Sequence, residues 1–371
     1  MPTSRGRKTA ATGQDEIRRV YESCTRFLGG SGKRDAASLL ATIPEDTALD
    51  VYGFGGVVEQ LESEVATLLG KDAAVFFITG TMAQQATLRI HADRRARTGI
   101  VFHPACHLDV REERAYERLH GLVGITCGPA FEPLTSEQLA TVADPVAALV
   151  VELPQRDLGG TLPTWEELVA QVEWAEDRGA AAHLDGARLW EAMPFYEESA
   201  GATIDDVASL FDTVYVSFYK GLGGIAGCCV AGDAETIGEL RLWRVRHGGR
   251  AYGLWPYAAS ARTVLAVRAR RFASYYRRAQ QIARGLQRLD GVEVLPFPVQ
   301  SPMMHVRLYG ERGRVMERML DIARTEGIWM FGGPYATEGP NLQRFEFNVG
   351  EATMGFQIRE VSRLFEDVLS G

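Results

Sequence analysis

Seven short runs rich in Val, Ile, Leu, Ala and Phe recur through the middle of the chain, at 73–78, 99–102, 122–126, 146–152, 180–184, 213–218 and 225–231. They are apolar nearly throughout rather than at alternate positions. A strand with one wet face alternates with a period of two, whereas a continuously apolar strand is covered on both faces. The runs are separated by polar-faced helical segments such as 164–178. Before the first run, Val58, Leu61, Val65, Leu68 and Leu69 keep helical spacing until Gly70. Helical crossovers between buried strands give a mainly parallel sheet, so the expected class is α/β.

The pattern changes near Tyr252-Gly253-Leu254-Trp255-Pro256. An arginine-studded helix over about 257–289 leads to strands near 292–296, 303–308 and 344–349 and to helices at 313–326 and 355–369. A smaller α+β domain is expected there. The boundaries read from sequence are a polar, disordered tail over 1–14, an N-terminal segment over 15–49 that opens with a helix at 15–27, a large domain over 50–255, and a small C-terminal domain with its connecting helix over 256–371.

Charge and cysteine usage narrow the function. A net charge of -8, with one basic cluster at Arg5-Gly6-Arg7-Lys8, argues against nucleic-acid or membrane-surface partners. No apolar run approaches the length of a membrane span. The five cysteines are odd in number and not spaced as ligand pairs, so no disulfide framework and no metal site is expected, and a reducing cytoplasm fits best.

Of 40 basic residues only Lys8, Lys33, Lys71 and Lys220 are lysines. Arginine replaces lysine in solubility and ion pairing, but it cannot supply a deprotonated amine nucleophile. Lys220 therefore stands out. Its surroundings, Val216-Ser-Phe-Tyr-Lys-Gly-Leu-Gly-Gly-Ile-Ala-Gly227, suggest three motifs. A dinucleotide loop must run straight from a strand into a helix, but here another apolar run follows the glycines. Ser217-x-x-Lys220 lacks the Ser-Asp-Asn and Lys-Thr-Gly elements that accompany it in penicillin-binding enzymes. A covalent anchor remains. Asp185, in His183-Leu-Asp-Gly-Ala-Arg188, ends an apolar run 35 residues earlier, one crossover unit away, so both side chains can emerge at one carboxyl edge of the sheet. That pair is what pyridoxal 5'-phosphate (PLP) needs: a lysine for the Schiff base and a carboxylate to keep the pyridine nitrogen protonated. Thr79-Gly80-Thr81 precedes a helix whose N-terminus can hold the phosphate.

These segments resemble the threonine aldolase and β-eliminating lyase family of fold-type I PLP-dependent enzymes. The resemblance covers about residues 50 to 250: Asp50-Val-Tyr-Gly53, Leu61-Glu62 through Gly70-Lys-Asp-Ala-Ala74, Thr79-Gly-Thr81, His107 with Glu112, Glu152, His183-Leu-Asp-Gly-Ala-Arg188, Lys220-Gly-Leu-Gly223, and Trp243-Arg244 before Gly248-Gly249. It implies a large PLP-binding domain and a small C-terminal domain in homodimers or homotetramers with shared active sites. Lys220 is then the covalent PLP lysine and Asp185 the pyridinium partner. Gly80, Thr81, Met82 and Ser217 are cofactor-binding. His107, with His103 one turn away, is the imidazole stacked on the ring. Arg188 lies beside the cofactor, with Arg344 as the main carboxylate binder, and Arg244 or Arg246 is expected to reach a phosphate across the subunit interface.

Two departures bear on the reaction. No Ser-Asp-Thr-Val-Thr-like segment precedes Tyr52. Gln155 stands where threonine aldolases carry a histidine near the substrate's β-hydroxyl; as a substrate-binding residue it can hydrogen-bond that hydroxyl but cannot accept its proton near neutral pH. The favoured reading is a lyase that cleaves a β-hydroxy-α-amino acid to glycine and an aldehyde. The alternatives are β-elimination to a keto acid and ammonia, and a catalytically silent PLP-binding protein.

Overall fold

The computed structural model describes residues 5–337 and 339–370. In chain order the strands are β1 (Arg26–Phe27), β2 (Ala73–Phe77), β3 (Gly99–Phe102), β4 (Val123–Thr126), β5 (Val146–Glu152), β6 (Ala181–Gly186), β7 (Thr213–Ser217), β8 (Cys228–Gly232), β9 (Val292–Leu295), β10 (Met303–Tyr309), β11 (Ile328–Trp329) and β12 (Leu342–Asn348). The first four helices are α1 (Arg5–Ser23), α2 (Ala36–Leu40), α3 (Gly56–Leu68) and α4 (Gly80–Arg95).

The chain divides into two compact units, one of Arg34–Tyr276 and one in which the residues up to Lys33 join those from Arg277 onward. In the first, a seven-stranded sheet has the order β2-β8-β7-β6-β5-β3-β4. Every pair from β7 to β4 is parallel, whereas β8 runs antiparallel to both β7 and β2. β6, β7 and β8 are buried at every position, as continuous apolarity requires, while β4 is an exposed edge. Since β2 is antiparallel to β8, it shares its direction with β5, β6 and β7. Their carboxyl ends therefore open on one edge.

The β7–β8 link is short and needs no crossover helix. Phe218 N donates to Gly227 O at 3.1 Å across its base. Beyond Lys220 the loop is braced by two guanidiniums: Arg268 Nη1 donates to Leu222 O at 2.7 Å, and Arg34 donates to Gly223 O.

In the second unit, β12-β10-β9 form an antiparallel sheet and β1 pairs in parallel with β11. This pairing divides the expected N-terminal segment 15–49 at residue 33. A two-residue strand is too short to display a period. Within the expected tail 1–14, the described residues are helical from Arg5, and the helix ends at Ser23 rather than 27. Arg, Lys, Ala and Gln in this stretch are good helix formers, which a reading based on polarity alone does not weigh. The expected helix 257–289 is two helices, Trp255–Arg268 and Phe272–Leu286, joined by a 3-10 turn at Ala269–Arg271. One tight turn leaves the apolar periodicity almost unchanged, so the sequence does not display the break.

Among the described residues no helix is long and apolar enough to cross a membrane, and no group of three or more His, Cys, Asp or Glu side chains could hold a metal ion.

Candidate active site

Asp185 lies near the end of β6, Glu152 opposite it at the end of β5, and Lys220 just beyond β7. Thr79, after β2, caps α4 with its side chain, accepting from Met82 N at 3.4 Å. The first N–H groups of a helix have no intrahelical acceptor, so those of Gly80 and Thr81 remain available to an anion. These elements meet around a cavity of about 230 Å³ lined by Thr79, Gly80, Thr81, Gln84, His107, Glu112, Asp185, Tyr215, Tyr219 and Lys220.

The electrostatics follow from burial. Removal from water raises the Asp185 pKa, and the Lys220 ammonium nearby opposes that rise. Burial likewise lowers the Lys220 pKa against the opposing pull of Asp185. Each group makes the other's charge tolerable. Asp185 Oδ1 also accepts from Ala187 N at 3.1 Å. Glu152 is pushed above the usual carboxylate range by burial and by Asp185. It accepts from the backbone N–H groups of His107 and Arg156, both at 3.1 Å.

His107 lines the cavity with Nδ1 3.1 Å from Glu112 Oε1, and Gln85 donates to the other Glu112 oxygen at 2.9 Å. His103 faces elsewhere, with Nε2 against the Pro129 and Glu132 carbonyls at 2.9 and 2.8 Å. Arg188 Nη1 pairs with buried Glu191 at 3.1 Å, and its charge helps to lower the Lys220 pKa.

Other expected site residues stand apart from the wall. Met82 gives its N–H to Thr79, and its side chain packs on the core beside Gly249, because about half a helical turn points residue 82 away from Gly80. Ser217 is buried at the end of β7. Gln155 lines a neighbouring cavity of about 30 Å³, and its Nε2 donates to Ala105 O at 3.2 Å and Glu152 Oε2 at 3.3 Å. Arg344 belongs to the other unit, on β12 opposite Arg307, with its guanidinium 5.5 Å from the Tyr335 ring centre.

Arg244 does not reach outward. It is 1% exposed, donates to Phe76 O at 2.7 Å and lies 3.5 Å from Glu62. Its place on the core side of helix Ala234–Arg246 explains the difference, since the neighbouring Arg246 lies over Trp243 on the half-exposed side. Residues the sequence reading missed are Gln84, Tyr215 and Tyr219. Tyr219 adjoins Lys220, and Gln84 lies one turn after Gly80 on the same helical face, a spacing that could have marked it.

The cavity suits PLP. A Cβ on Gly80 would collide with the Tyr215 hydroxyl, so only glycine leaves this cradle open at the helix N-terminus. A buried amine, a buried carboxylate and an anion-binding helix end supply the three functions this cofactor requires.

The sheet, strand-end site and second α+β unit define a fold-type I PLP-dependent enzyme. The chain belongs to the beta-eliminating lyase family, whose model matches residues 37–308. It is similar to low-specificity L-threonine aldolase 1 of Arabidopsis thaliana, 24% identical over 294 residues that cover 76% of this chain and 81% of that protein. A solved structure of a proposed L-allo-threonine aldolase of Listeria monocytogenes is 34% identical, with a TM-score of 0.89 over 96% of this chain and 98% of that one. A PLP-bound serine palmitoyltransferase of S. paucimobilis shares the fold, with 16% identity and a TM-score of 0.62 over 96% of this chain and 83% of that one.

Proposed function

We propose that this protein is a PLP-dependent lyase that cleaves β-hydroxy-α-amino acids by retro-aldol reaction to glycine and an aldehyde. The reading is carried by the meeting of Lys220, Asp185 and the α4 N-terminus around one cavity, in a chain several of whose relatives bear threonine aldolase names. When bound, PLP supplies an electron sink for the bond that breaks at Cα.

Lys220 Nζ would hold the cofactor covalently, Asp185 would accept from its ring nitrogen and keep it protonated, the Gly80 and Thr81 N–H groups would bind its phosphate, and the His107 imidazole would pack on it. As Cα–Cβ breaks, the β-hydroxyl proton must leave. His107 commits Nδ1–H to Glu112, so Nε2 is the ring nitrogen that would accept that proton, a role unavailable to Gln155. Arg344 and Arg188 are the candidates for the substrate carboxylate.

The proposal extends to a homodimer or homotetramer, supported by an exposed aromatic cluster of Tyr52, Phe54 and Tyr252 in which Tyr52 and Tyr252 meet edge to face at 5.3 Å. It also extends to a cytoplasmic location, supported by five free, buried cysteines.

Wild-type protein given PLP should gain visible absorption that Lys220→Ala lacks. With β-hydroxy amino acids it should release glycine and an aldehyde. Keto acid and ammonia in their place would favour β-elimination, and absence of both product pairs would overturn the lyase reading.

A further inference from the structure

Behind the cavity wall four polar side chains, each no more than 2% exposed, form a chain: Gln84, His183, Thr213 and His91. His183 Nε2 meets Gln84 Oε1, and its Nδ1 lies 2.8 Å from Thr213 Oγ1. His91 Nε2 lies 2.9 Å from the same hydroxyl. At the far end, Arg95 Nη1 is 3.5 Å from His91 Nδ1.

The direction of this chain follows from its ends. A guanidinium has donors only, so His91 Nδ1 accepts and its Nε2 carries the proton. His91 Nε2–H then donates to Thr213 Oγ1, whose hydroxyl proton goes to His183 Nδ1. His183 Nε2–H donates to Gln84 Oε1. The opposite polarity would set His91 Nδ1–H against the Arg95 donors. Burial supports this by keeping both imidazoles neutral, with His183 lowered to about 3 and His91 well below its ordinary value. Among the described residues, the bond accepted from His183 is the only hydrogen bond of the Gln84 side chain. The relay therefore fixes which way the amide faces: oxygen inward to His183, and NH₂ toward the cavity that Gln84 lines.

We propose that Gln84 is a further cofactor-binding residue whose Nε2–H donates to an acceptor oxygen of bound PLP, and that His183, Thr213 and His91 are positioning residues that lock its amide in that orientation. The inference rests on the assignment of PLP to this cavity. The acceptor is a phosphate oxygen or the ring oxygen, since Gln84 stands between Gly80 and the strand that bears Asp185.

The test begins with the apo protein. ¹⁵N NMR of histidine-labelled wild type should show neutral His183 and His91, both protonated at Nε2. Protonation of either at Nδ1 would overturn the relay. Equilibrium binding of PLP and of pyridoxal then reads the contact. Gln84→Met removes the donor and should weaken PLP about tenfold, with a shift in the visible absorption of bound cofactor. Thr213→Val, which cuts the relay but leaves Gln84 in place, should weaken PLP severalfold, and Thr213→Ser should restore it.

Weakening of PLP alone identifies the phosphate as acceptor, and weakening of pyridoxal as well identifies the ring oxygen. Unchanged affinity and spectrum in Gln84→Met, alongside a wild type that binds PLP, would overturn this inference and leave the cofactor assignment intact. A wild type that takes up no PLP would overturn both.

Discussion

Glu112 Oε1 lies 3.1 Å from His107 Nδ1, although five residues separate them in sequence and the carboxylate is far more buried than the imidazole. The carboxylate fixes the tautomer and the plane of a ring that covers one side of the cavity. Glu112→Leu should reduce kcat about tenfold or more and displace the pH–rate profile, because Nδ1 loses its acceptor and Nε2 its defined role. Glu112→Gln, which keeps an acceptor without the charge, should fall between. An unchanged pH profile in Glu112→Leu would separate His107 from the proton transfer.

Asp185→Asn keeps the side chain's shape but removes the buried carboxylate that the proposed function sets against the ring nitrogen. Activity should drop about 10²-fold or more, the scale seen when one preorganised electrostatic group is removed, while PLP is still bound. Steady-state kinetics with excess PLP would measure it.

Gly80→Ala drives a methyl into the Tyr215 hydroxyl. Stability should fall by about 1–3 kcal/mol, as for overpacking generally, and PLP affinity should fall with it. Adding Tyr215→Phe removes the first clash but leaves the ring carbon Cζ 3.0 Å from the new Cβ, so the double variant should recover in part. Thermal melts with and without PLP would separate the two effects.

Acid should destabilise the protein through His183. Burial lowers its pKa from 6.5 to about 3, so between these values the unfolded chain binds a proton that the folded chain refuses. The stabilisation from keeping this ring neutral is fully present above pH 6.5 and is lost as pH falls toward 3, at up to about 1.4 kcal/mol per pH unit. Urea unfolding at several pH values should show this slope, and His183→Asn should flatten it.

Arg244→Met should cost about 3 kcal/mol, because it leaves buried Glu62 with only Arg241, 2.6 Å away, to balance its charge. Arg246→Ala, by contrast, should leave the melting temperature almost unchanged.

Much of the site was legible because its chemistry needs unusual residues in unusual places. Lys220 is the last lysine of an arginine-rich chain, and Asp185 ends an apolar run where a charge has no packing reason to be. The run after Lys220 betrayed β8 and excluded a dinucleotide loop. Its antiparallel direction was hidden, because a buried strand reads the same both ways. Arg244 and Arg246 are two residues apart with opposite fates, and only the packing of the helix Ala234–Arg246 decides which is buried. Gln155 was singled out as a departure, and the structure turns its amide toward Ala105 and Glu152. The β1–β11 pairing joins residues about 300 apart through two positions each, a contact with no local signature.

The bracing of the β7–β8 loop bears on how Lys220 would move in the proposed role. Lys220 is moored on both sides: β7 ends three residues before it, and guanidiniums grip the two carbonyls at Leu222 and Gly223. With the backbone on both sides held, an anchor role for Lys220 would ask only for rotation about the bonds of its side chain, and the backbone pivot would stay where it is.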